Sequence, residues 1–368
     1  MRATTCVRAA LTVAGVVAGL VSLPATANAA VTTVTCNGTA LQTAITNANP
    51  GDILVLAPGC HYSYSTPFDA TDDALPPIAK TLTIVGNGAT IERSAMAAAN
   101  FRIFEIDLPG DLRISNVTVR NGQANGDGGG FLVLGGRLTT GSTTITANMA
   151  TNVGGGISVE PFGGVGGSAT LNATTLSGNT AVSNGGGLEL VGGVVGTSAT
   201  LNNSTVTDNS SGALGGGIRV AIGSALTLNS TRVIRGTTLT GNIALQGGGI
   251  SVVGSATLNS STVSGNTASG AGAAGGGILN DGTLKLNSST VTNNTANGTN
   301  ARGGGIANSG TGTATLRSSP VSGNQALGMG ADGGGVFNNG GTVTLISSPV
   351  TGNTPNNCGM PSTVPGCV

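Results

Sequence analysis

Residues able to do acid–base or cation chemistry are scarce in this chain of 368: ten Asp, four Glu, a single His and 14 Lys plus Arg. Cleavage of a glycosidic bond by two carboxyl groups requires them about 5–10 Å apart on one face. Proton abstraction assisted by a cation requires an acidic cluster beside a base such as Arg. Glu189 and Arg219 follow Leu188 and Ile218 at the same place in successive repeats, so they are expected to project outward on neighbouring tiers. Glu160, the third residue after Ile157, falls near the same face. An ion pair between tiers is the plainer reading of Glu189 and Arg219. A glycan or lyase site that also uses Glu160 is the sharper one. Asp72 and Asp73, with Asp69 nearby, lie between Pro67 and Pro76 and read as a solvated loop. His61 reads as a structural or surface residue. Arg302 and Asp332 stand immediately before glycine triplets and read as a surface ion pair.

The elements that carry these residues follow from a repeat. Three glycines followed by an apolar residue begin at Gly128, Gly154, Gly185, Gly215, Gly247, Gly275, Gly303 and Gly333, at intervals of 26 to 32 residues. Such a period marks a solenoid or array. A second motif, an apolar residue followed three positions later by Asn, places Asn148, Asn179, Asn209, Asn242, Asn266, Asn294, Asn324 and Asn353 in one register. Alternating runs such as Ala256-Thr257-Leu258-Asn259 lie upstream and read as strands. Stacked coils of two or three short strands make an all-β, right-handed parallel β-helix. Its Asn column forms a side-chain ladder about 4.8 Å per step.

In the last three coils the second residue after the post-glycine apolar position changes to Asn280, Asn308 and Asn338, and the preceding loop lengthens. Duplication of a variant repeat explains this. A shallow binding face along residues 269–339, with that Asn column beside it, is the functional reading. Leu41, Ala44, Ile45 and Ala48 recur at helical spacing after a Thr39–Gln42 capping box, so residues 39–50 are expected to form a helix covering the first coil.

Composition narrows the function. Charged residues are 8% and aromatics 2%, with no Trp, which argues against an ordinary globular enzyme. Balanced charge leaves no basic patch for nucleic acid. Arg2 and Arg8 precede an apolar run to Leu23, and Ala27-Asn28-Ala29 supplies a cleavage site, the pattern of a secretory signal at residues 1–29. After it come an irregular N-terminal part (30–127), regular repeats (128–355) and a C-terminal cap (356–368). Export makes disulfides the default for the remaining cysteines. Clustering at the two ends favours Cys36–Cys60 and Cys358–Cys367.

The paired motifs, here Gly-Gly-Gly-Ile and Val-Ser-Gly-Asn, resemble the repeats of chlamydial polymorphic membrane proteins from about Gly128 to Asn353, with Val, Leu or Ile replacing the family's Phe. The opening Leu41–Pro58 resembles the start of secreted β-helix proteins of the pectin-lyase-like superfamily. The first resemblance implies adhesion or surface display, the second polysaccharide lyases and hydrolases. The S-H-G and R-I-K motifs of the polygalacturonase type are absent. The sequence favours a secreted, monomeric, non-catalytic binder of a surface, a polysaccharide or a protein, without cofactor, metal or membrane insertion. A divergent polysaccharide lyase or glycoside hydrolase is the alternative, and a structural matrix role the third reading.

Overall fold

The computed structural model describes residues 29–68, 72–234, 237–238, 246–359 and 364–367. The expected secretory signal at residues 1–29, apart from Ala29, and Asn242 lie outside them. The described chain is a parallel β-solenoid of about 10 turns with one short helix. Each regular coil contributes to three sheets. A representative coil runs through Ile157–Glu160, Ser168–Asn172, Thr175–Ser177 and Thr180–Ala181. The first strand joins a nine-stranded sheet, the middle two a 21-stranded sheet, and the last an eight-stranded sheet. Register is parallel, with a shift between Val85 and Ala89 in the first coils and regular stacking beyond, as in Ala169↔Ala199, Leu171↔Leu201 and Leu188↔Ile218.

Alternation decides what is buried. In Ser168–Asn172 the residues Ala169 and Leu171 point inward, while Ser168, Thr170 and Asn172 stay half-exposed. Stacking turns each inward position into a column, such as Leu171, Leu201, Leu228, Leu258, Leu286 and Leu316, all buried. Those columns form one core from Val34 to Val364. In the first coils, where repeats are less regular, aromatics fill it: Phe104 stacks on Phe131 with ring centroids 4.9 Å apart.

Two bends per coil need left-handed backbone. One sits between the paired strands, at Ser142, Ala173, Asn203, Ser230, Ser260, Ser288, Ser318 and Ser347, with φ between 46° and 49°. The other immediately precedes the ladder Asn, as at Gly178, Asp208, Asn293 and Gly323, with φ of 55° to 66°. The ladder Asn itself does not adopt this conformation; the residue before it does.

The ladder Asn has a different task. Asn179 Oδ1 accepts from both the backbone N–H and the Nδ2 of Asn148, 3.0 Å each. Asn179 Nδ2 donates to Ile145 O and to Asn209 Oδ1. The same pattern links Asn266, Asn294, Asn324 and Asn353. At the end of the stack Asn357 Oδ1 takes the place of the next rung. A second buried ladder, not anticipated from the sequence, follows the first bend: backbone N–H groups of Thr174, Thr231, Ser261, Ser289 and Ser319 donate to the hydroxyl of the next coil. Both satisfy backbone groups that the bends remove from the sheets.

The middle glycine of each triplet is there for close approach. A Cβ at Gly186 would lie 2.3 Å from Ser210 O, and one at Gly304 2.2 Å from Gln325 O.

The ends are sealed. The helix spans Gly38–Asn47 and buries Leu41 and Ile45 against the first coil. Its cap is Asn37, whose side chain accepts from Thr39 and Ala40 N–H, so the expected Thr39 capping box gives way to an Asn cap. Cys36–Cys60 and Cys358–Cys367 are both formed, at sequence separations of 24 and 9. No helix among the described residues is long and apolar enough to cross a membrane.

Candidate functional site

The nine-stranded sheet brings the sequence candidates together and adds others. Its outward column reads Glu105, Leu132, Ser158, Glu189, Arg219, Ser251, Leu279, Ala307, Phe337 in successive tiers. Two residues further along, Asp107, Leu134 and Glu160 form a parallel column. Alternation turns these side chains away from the core, as expected. Burial corrects the rest of that expectation. Glu189 is 1% exposed and Ser158 and Ser251 fully buried, because the first glycine of each triplet folds back over the column. A Cβ at Gly185 would stand 2.7 Å from Glu189 Oε2.

Glu189 Oε1 accepts from Arg219 Nη1 at 2.5 Å, the expected cross-tier ion pair. Its Oε2, Arg219 Nε and Ser251 Oγ, in three consecutive tiers, are buried without partners. Burial pushes the Glu189 carboxyl up to about 7 against the pull of Arg219, with Asp127 and Glu160 adding to the rise. Glu160 Oε1 accepts from Ser158 Oγ at 2.8 Å. Burial raises Glu160 too, Ser158 opposing and Asp127 reinforcing the shift.

A second cluster lies at the N-terminal end of the same face. Arg102 Nη1 contacts Asp73 Oδ1 at 3.0 Å and Glu105 Oε2 at 2.5 Å. Arg102 Nε donates to the Asp127 carbonyl. Glu105 is pushed up to about 7, first by burial and then by Asp73, with Arg102 opposing. Asp72 is exposed, but Asp73 is 2% exposed, so half of the expected solvated loop is inside. Sequence reasoning missed Arg102, Glu105, Asp107 and Asp127. The alternation Phe104-Glu105-Ile106-Asp107 was the available signal, since it repeats the pattern that placed Glu189.

The remaining candidates are elsewhere. Asn280, Asn308 and Asn338 replace the inward Val252 column and are buried. Asn280 and Asn308 Nδ2 each donate to the Oδ1 of the next coil, at 2.6 and 2.8 Å. Asn308 and Asn338 Nδ2 also hold the following turn through Gly312 O and Gly341 O. Their amides brace that turn and present no open face. The three longer loops stack through backbone hydrogen bonds and bury Ala268, Ala273, Ala296 and Ala301 between them. Arg302 lies over the Phe337 ring, 4.5 Å from its centroid, and its backbone bridges to that of Asp332. His61 is exposed and 3.5 Å from Glu92, which also pairs with Arg120. Among the described residues no group of three or more His, Cys, Asp or Glu is arranged to hold a metal ion.

No protein-family model matches the chain, and no curated protein does. Among solved structures it is similar to pectate lyase Pel9A, at 14% identity over 87% of this chain and 78% of that one, with a TM-score of 0.39. It is also similar to PfbA, a surface adhesin of Streptococcus pneumoniae, at 10% identity over 84% and 87% of the two chains, with a TM-score of 0.29.

Proposed function

We propose that the chain is an extracellular, non-catalytic solenoid that binds an extended polysaccharide along its axis. One observation supports this above all. Two depressions, one around Asp111, Arg137, Ser168 and Ser198 and one around Ser255, Thr283 and Thr313, lie in line between the turns that leave the nine-stranded sheet and the first outward column of the 21-stranded sheet, and we read them as one groove. Its floor is Asp111, Arg137, Ser168, Ser198, Ala225, Ser255, Thr283 and Thr313 in successive register. At the usual strand spacing that is about 34 Å. Its wall includes Leu108, Pro109, Val165, Ile222 and Val253, with the exposed Phe162 and Val194 on the same turns. Hydroxyl groups below and apolar surface beside suit the two faces of a sugar chain.

The same groove argues against turnover. The carboxyls lining it are Asp111 and Asp281. Six register steps separate Asp111 from the coil of Asp281, roughly 29 Å, far beyond the 5–10 Å of a cleaving pair. Burial raises Asp281 in the groove as well, but it stands there without a carboxyl partner; Glu105, Glu160 and Glu189, also raised by burial, lie on the other side of the turn ridge, on the outer face of the nine-stranded sheet.

The test is calorimetric titration with soluble glucan, mannan and galactan, together with product assays on those polymers and on pectate and alginate, with and without calcium. Binding of at least one neutral polymer is expected, weakened about tenfold or more by Val194→Lys or Ser198→Lys. No reducing ends or unsaturated products should appear. Product formation above a heat-killed control would overturn the non-catalytic reading. Equal affinity of the blocked variants would overturn the groove.

A further inference from the structure

The groove changes character along its length, and its wall and floor change together. On the wall, apolar side chains occupy four successive turns: Phe162 with Val165, then Val194, Ile222 and Val253, all but the last exposed. The first of these turns is built to hold its pair outward. Phe162 and Val165 exchange both backbone hydrogen bonds, at 2.9 Å each, across Gly163 and Gly164. Those glycines have φ of 58° and 79°, the left-handed backbone a two-residue turn needs. Residues paired in this way present their side chains on one face. On the floor, the same four tiers place Ser168, Ser198, Ala225 and Ser255 in register. Their outward neighbours within each strand are Thr and then Asn in every one of these tiers. None of these positions is charged, whereas Arg137 stands in the tier before and Lys285 in the tier after. Beyond Val253 the wall turns polar at Asp281. Apolar wall and uncharged hydroxyl floor thus coincide over three register steps, about 14 Å.

We propose that this central stretch selects a neutral polysaccharide whose pyranose rings are joined 1→4 through equatorial bonds, a β-1,4-linked glucan or mannan. The inference rests on the groove reading above and narrows its ligand. Such a chain is a flat ribbon. Its faces are C–H surface, its edges are hydroxyl groups, and each sugar advances it by nearly the spacing between strands. Set on edge in the groove, it keeps one face on the wall and one edge on the floor at every tier. Successive rings are inverted, but inversion only exchanges one apolar face for the other and one polar edge for the other. Ser and Thr hydroxyls both donate and accept, so they serve either edge. A chain with axial or 1→3 linkages bends or winds, and carries its faces away from a straight wall within a few sugars. An anionic chain would find no cation in these four tiers.

The inference is read by titrating the full chain with hexamers of β-1,4-linked glucose and β-1,4-linked mannose, beside hexamers of β-1,3-linked glucose, α-1,4-linked glucose and galacturonate. At least one β-1,4 hexamer is expected to bind at least about tenfold more tightly than the other three. Its affinity should climb from dimer to tetramer and then level, because four tiers carry the matched surface. Ala225 is the one gap in the hydroxyl column of these tiers, so Ala225→Ser should tighten that hexamer about threefold. Phe162→Ser with Val165→Ser removes the first part of the wall and should erase most of the linkage preference. Both changes lie on exposed positions and should leave the thermal midpoint in place. Binding without a linkage preference, or a preference that survives loss of the apolar pair, overturns this inference and leaves the groove standing. Unchanged affinity in Ala225→Ser overturns the edge-on alignment. Tighter binding of the galacturonate hexamer overturns the neutral assignment. Failure of every polymer and hexamer to bind overturns the groove, and this inference with it.

Discussion

Glu189 and Arg219 occupy one register position on adjacent tiers and meet through a single 2.5 Å contact, leaving Glu189 Oε2 and Arg219 Nε buried and unpaired. The pair therefore holds its charge under protest. Glu189, like Glu105, is pushed up to about 7 from 4.5, chiefly by burial. Between those values the folded chain binds more protons than the unfolded one, so stability falls as pH rises through that window. The thermal midpoint is expected to be a few degrees higher at pH 5.5 than at pH 8. Glu189→Gln should narrow the gap, recovering about 1–3 kcal/mol at pH 8. A flat or inverted profile in wild type would contradict the burial argument.

The two kinds of Asn ladder should differ sharply in worth. Asn324→Ala removes the acceptor of Asn294 N–H and Nδ2 and the donor to Val291 O, all inside the coil. Several buried groups left unpaired cost about 3–5 kcal/mol together. Asn259→Ala interrupts the half-exposed ladder of Asn229 and Asn287, where water can replace the amide. That change should cost about 1 kcal/mol or less. Denaturant unfolding of the two variants compares them directly, and similar losses would remove the distinction.

Glycines of different roles should tolerate Ala differently. At Gly304 the new Cβ would meet backbone at 2.2 Å, so Gly304→Ala is expected to yield little folded protein. At Gly272, φ is +71° and nothing lies within 4 Å, so Gly272→Ala should cost only the left-handed strain of about 1–2 kcal/mol. Soluble yield and circular dichroism would decide. Normal folding of Gly304→Ala would mean the triplets are not packed backbone to backbone.

Each disulfide should guard its own end. Cys358 and Cys367 close a short loop over the last coil, and replacing both by Ser is expected to cost about 2–3 kcal/mol. In a stack where coils contact only neighbours, the loss should stay local. Hydrogen exchange should quicken at Val350–Thr351 and remain unchanged at Ile53–Leu56. Replacing Cys36 and Cys60 should do the reverse. Uniform acceleration in either variant would show that the solenoid opens as one unit.

Period and alternation by themselves determine most of the architecture. Eight glycine triplets and the apolar-x-x-Asn motif set the coil length, the strand faces, the ladder and the register that pairs Glu189 with Arg219, because parallel stacking places equal positions above one another. The expectation of export and the placement of cysteines at the two ends likewise pointed to the pairs that form. What the one-dimensional pattern could not carry was cover. Outward alternation says a side chain leaves the core, but only the backbone path of Gly185 over the column makes Glu189 a buried carboxyl. The inward turn of Asn280, Asn308 and Asn338 depends on which face of a three-residue strand meets the core, and there alternation is too short to decide. Arg102, Asp73 and Asp127 come from irregular coils with no shared period, so their meeting with Glu105 and Glu160 is a product of the wound chain alone. The groove is of the same kind: its floor and wall belong to different elements, and only the turn between two sheets sets them side by side.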